Sequence, residues 1–97
     1  MASKIHVITT INDVKWPRGS RTVGFYHDLN HAIESVEYND GDIYENGWFR
    51  YCVIESIDEG MYSIDTNGLW FEWKEHKGYR VIDIPEKFKG VAGFGMG

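Results

Sequence analysis

The sequence predicts an α+β fold: one amphipathic helix packed on a four- to five-stranded antiparallel sheet, with a β-meander in the C-terminal half. Three observations carry that expectation. A single segment places apolar residues at helical spacing behind an N-cap. Several short runs rich in β-branched and aromatic residues are separated by Gly, Asn, Asp and Pro. Four Trp, six Tyr and five Phe in 97 residues give a small chain the means to build a core from few side chains. The length and the scarcity of proline point to a single α+β domain, 1–97, with no linker.

Taken in order, KIHVITTI (residues 4–11) reads as a strand, and NDVKWPRGSR as a loop. TVGFY (22–26) is a short extended segment. Asp28 stands at an N-cap position, and Leu29, Ala32, Ile33 and Val36 follow at i, i+3, i+4 and i+7, one apolar helix face. Asn30, His31, Glu34 and Glu37 face water on that reading, and Asn39-Asp40-Gly41 ends the helix with residues that accept left-handed backbone. WFRYCVIESI (48–57) is apolar on both faces, which suits a central strand covered by the helix. Asp58-Glu59-Gly60 turns into MYSID, and Asn67-Gly68 is the expected type I′ hairpin turn before LWFEW. HKG turns into GYRVIDI, Pro85 stops that strand, and VAGF is a candidate edge strand.

The glycines of the closing GVAGFGMG are not expected to make a phosphate loop. Their spacing departs from G-x-G-x-x-G, and no Lys-Ser/Thr pair accompanies them. A glycine-rich terminal strand or tail is the plainer reading. Cys52, the single cysteine, lies inside the apolar run YCVI and reads as a buried hydrophobe. With no disulfide and no long apolar stretch near the N-terminus, a reduced cytoplasmic setting is expected.

Metal and catalytic motifs are weak. His27 and His31 lie four apart, but His27 precedes the cap and no H-E-x-x-H pattern accompanies them. NDGDIYENG offers oxygen ligands but fails the EF-hand pattern at its glycine and terminal glutamate. With no nucleophile elbow and no Cys pair, the chain is expected to be non-enzymatic and to carry no metal or cofactor.

Charge is unevenly spread over the net -5: residues 28–65 hold ten acids against Arg50 alone. Within 34–45, Glu34, Glu37, Asp40, Asp42 and Glu45 alternate with Tyr38 and Tyr44 and no cation. Such a row complements a basic nucleic-acid-binding groove on another protein, with the tyrosines as anchors. It equally suits a solvated face that maintains solubility. The N-terminal loop KWPRGSR offers the opposite chemistry: Lys15, Arg18 and Arg21 for a phosphate, with Trp16 and Trp70 for a base.

The stretches RTVGFYHDLNHAIESVEYNDGDIYENG, YCVIESIDEGMYSID and WFEWKEHKGYRVIDIPEKFKG resemble a group of small proteins from phages, prophages and gut bacteria. The likeness covers nearly everything from Arg21 onward and contains no function-bearing motif, so it implies a setting and no catalytic residue. Small acidic phage proteins without enzymatic motifs often act as anti-defence factors, including anti-CRISPR inhibitors. The leading expectation is therefore a mobile-element protein that inhibits a nucleic-acid-handling defence complex through residues 34–45, without touching nucleic acid or membrane. A nucleotide-signal sponge using Lys15, Trp16, Arg18 and Arg21 with Trp70 or Trp73 is the first alternative. A phage structural or assembly protein, in which homo-oligomers would form, is the second.

Overall fold

The computed structural model describes residues 4–12, 20–58 and 67–86. It is an α+β fold, one helix on a five-stranded antiparallel sheet. The strands are β1 (Lys4–Ile11), β2 (Ser20–Tyr26), β3 (Tyr51–Asp58), β4 (Asn67–Lys74) and β5 (Gly78–Ile82), and the helix α1 spans Leu29–Glu37. The order across the sheet is β2-β1-β3-β4-β5, so the most apolar strand, β3, lies in the middle. Its two flanks pair in long registers, Lys4 with Asp58 through Ile11 with Tyr51 on one side and Tyr51 with Glu72 through Ser56 with Asn67 on the other.

Alternation along the strands sends residues to two faces. One face, with Ile8, Cys52, Ile54, Phe71 and Tyr79, packs against Ala32 and Val36 of α1. The other gathers Ile11, Tyr51, Val53 and Trp70, with Ile82 and Ile84 beside them. Burial on both faces explains why 51–55 reads as a continuous apolar run ending in the buried Glu55.

The helix begins where its cap dictates. Asp28 has extended backbone, and its carboxylate accepts from the amides of Asn30 at 2.8 Å and His31 at 3.4 Å. The inward face differs from the expected one by a residue. Leu29 is 38 % exposed, and Ser35 is buried instead, its hydroxyl donating to the Tyr26 phenol oxygen at 2.8 Å. A buried serine is tolerated because that bond satisfies it. Asn39 in left-handed geometry, φ 52°, turns the chain away after Tyr38.

The hairpin expectation at Asn67-Gly68 is corrected. Both residues open β4, opposite Ser56 and Glu55, so β3 pairs with β4 directly and the connection falls at 59–66, outside the described residues together with MYSID. Gly68 has a packing reason: a Cβ there would lie 3.0 Å from the Trp70 indole nitrogen and 3.0 Å from a Val53 methyl. β3 also starts later than expected, because Trp48 adopts helical backbone at the end of a 3-10 turn, Glu45–Gly47. The glycine-rich C-terminus lies outside the described residues as well.

Candidate functional site

The acidic residues meet the fold at the segment between α1 and β3. It is a compact loop built from two 3-10 turns, Asp40–Asp42 and Glu45–Gly47. Asn39, Asp42 and Glu45 take φ of 52°, 54° and 50°, and Gly41 takes 65°. Asn and Asp enter that region at modest cost, Glu less readily. The geometry is held by side chains. Asn39 accepts from the Tyr44 amide at 2.9 Å and donates to Asp42 at 3.2 Å, while its carbonyl accepts from the Asp42 amide at 2.9 Å. Tyr44 stacks on Trp73 of β4, centroids 3.8 Å apart and planes 6° from parallel. Tyr79 meets both rings edge-on at 6.0 and 5.2 Å and donates its hydroxyl to the Phe49 carbonyl at 2.6 Å. Burial raises the Tyr79 phenol pKa far above its usual value, and the Cys52 and Tyr44 groups add to the effect.

The loop and the edge strand β2 enclose a cleft of about 420 Å³ lined by Arg21, Val23, Asp40, Gly41, Asp42, Ile43 and Glu45. Arg21 donates to Glu45 at 2.6 Å across it. A second hollow of about 230 Å³ continues along β2 between Ile8, Val23, Phe25, Tyr26 and Ile43, and the two share Val23, Asp40 and Ile43.

The residues expected to bind a partner are thus divided. Asp40, Asp42 and Glu45 converge on the cleft. Glu34 is exposed on α1, and Glu37 is turned to Arg80 of β5 at 3.8 Å. Tyr38, 76 % exposed, stands free at the helix end as an anchor would, whereas Tyr44 has one ring face committed to Trp73. Of the alternative ligand set, Lys15, Trp16 and Arg18 lie outside the described residues. Arg21 is already paired with Glu45, and Trp70 is 3 % exposed, leaving no open ring for a base. Val23, Phe25 and Ile43 were not singled out by the sequence, and no local signal could have linked them. They become neighbours only when β2 lies beside the loop.

The lining of the cleft carries three carboxylates and one guanidinium. Asp40 and Asp42 have no ion pair among the described residues, and Arg21 offsets only one of the three carboxylates. Cys52 is fully buried, and burial drives its thiol pKa well above the usual range, which favours the neutral thiol of a core residue. No cluster of three or more His, Cys, Asp or Glu among the described residues is arranged to hold a metal ion. No helix among them is long and apolar enough to cross a membrane. Comparison with known proteins finds no matching family model, no matching curated protein and no matching solved structure.

Proposed function

We propose that this chain is a non-enzymatic interaction protein of a phage or other mobile element. It inhibits a nucleic-acid-handling defence complex in the bacterial host cytoplasm, in the manner of an anti-CRISPR protein. The carrying observation is the convergence of Asp40, Asp42 and Glu45 on one cleft, presented by a loop that three aromatic rings fix to the sheet. Carboxylates on a braced loop suit a basic groove that otherwise receives phosphates, because they steer encounter and the loop backbone needs little reordering on contact. Exposed Tyr38 supplies an aromatic anchor at the same end of the helix. A nucleotide in the cleft would meet three carboxylates against Arg21 alone, which disfavours the small-ligand alternative.

The test is affinity capture from host lysate, read by mass spectrometry, with the Asp40→Lys/Asp42→Lys/Glu45→Lys variant beside the wild type. A nuclease or guide complex retained by the wild type and lost by a variant with an unchanged far-UV spectrum supports the proposal. Equal retention by both removes it.

A further inference from the structure

We propose that the groove between β2 and the acidic loop receives one arginine of the partner protein together with an aliphatic residue next to it in sequence. The inference rests on the acidic-surface reading and gives that surface a chemical specificity. The two hollows adjoin along β2, since Val23, Asp40 and Ile43 line both. One end is lined by Asp40, Asp42 and Glu45 with a single cation, Arg21. The other is lined by the apolar Ile8, Val23, Phe25 and Ile43 together with Gly24, Tyr26, Ser35 and the shared Asp40. A purely cationic ligand would leave the second end unfilled, and a purely apolar one would strand the carboxylates. The groove therefore selects a charge with an apolar neighbour.

Arginine answers the charged end better than lysine. Its planar guanidinium carries five donors and serves two carboxylates at once, while an ammonium acts as a point charge. The chain itself shows a guanidinium accommodated there, Arg21 donating to Glu45 at 2.6 Å. That leaves Asp40 and Asp42 for the incoming group, and Asp42 accepts a hydrogen bond from the Asn39 amide at 3.2 Å. At the apolar end Phe25 is 56 % exposed, an area that an aliphatic side chain would remove from water.

The experiment titrates the isotope-labelled full chain with acetyl-Leu-Arg-Leu-amide and follows backbone amide shifts. Two further peptides replace arginine by lysine or by citrulline, its uncharged isostere. Shifts are expected at Val23, Gly24, Phe25, Gly41, Asp42 and Ile43, and citrulline should bind about tenfold more weakly through loss of charge-assisted hydrogen bonds. Phe25→Ser, a change at an exposed position, should weaken the arginine peptide and leave the carboxylates in place. Absence of shifts in this region, equal affinity for citrulline, or lysine matching arginine overturns the inference. If the peptide fails while the charge-reversed variant still loses its host protein, the groove is wrong and the acidic surface stands. If the peptide binds while capture is indifferent to charge reversal, the proposed function fails and the arginine site remains.

Discussion

Gly78 opens β5 with φ of 78°, and a Cβ built there would lie 2.9 Å from the Glu37 carbonyl oxygen at the end of α1. Both facts demand glycine, one through backbone geometry and the other through close approach. Gly41 has a similar φ of 65° with open space around its Cβ position. Gly78→Ala is therefore expected to cost about 2 kcal/mol or more in urea unfolding, and Gly41→Ala about 1 kcal/mol. Equal losses would show that the contact with Glu37 does not matter. Glu72 illustrates a different kind of constraint. It receives Lys74 at 2.7 Å and Arg50 at 2.6 Å, and these partners, Lys74 foremost, hold its pKa below the usual carboxylate range against the effect of burial.

The acidic loop and α1 differ in what supports them. The helix has its own cap and its own apolar stripe, so the signals for it are contained within a few residues. The loop has left-handed residues that need external support, and Tyr44 provides it through its stack on Trp73. Tyr44→Ala is expected to lower stability by about 2 kcal/mol, from lost area and a lost ring pair. Exchange at the Asp42 and Tyr44 amides, both bonded to Asn39, should accelerate before the sheet opens. If those amides keep their protection, the Asn39 bonds alone fix the loop. The helix was legible in the sequence through Asp28 and the spacing of Ala32, Ile33 and Val36. Asn67-Gly68 misled because its turn propensity is local, whereas the pairing of Glu55 with Gly68 is set by the whole β3–β4 register.

Across the molecule, pH on the acid side of neutral acts through groups whose folded pKa is depressed. His6 on β1 is buried, with its Nδ1 2.7 Å from the Ser56 hydroxyl. Burial first, then Lys4 and His27, lower its pKa from 6.5, and Asp28 opposes them. The folded state thus prefers the neutral ring. Its contribution is complete above pH 6.5, where the unfolded chain is also neutral, and is lost as pH falls through the lower folded value. Glu72 follows the same sign in the carboxylate range, its contribution disappearing at more acid pH. Urea midpoints measured from about pH 8 to about pH 5 should decline, and His6→Gln should flatten the upper part of that decline. An unchanged slope in the variant would assign the decline to other groups.

Local chemistry in the sequence determined the capped helix α1, the central apolar strand, the glycine at the β5 turn and the excess of carboxylates at 34–45. Each depends on contacts within one turn, one strand or one run of charge. Tertiary structure decided which carboxylates lie together. Arg21 reaches Glu45 because β2 forms the sheet edge beside the loop, and Tyr44 is held by Trp73 because β4 passes beneath it. Register likewise placed Trp70 in the core and removed it from any exposed site. Those outcomes depend on where separate strands come to lie in space. Propensity and spacing along one segment carry no information about that placement.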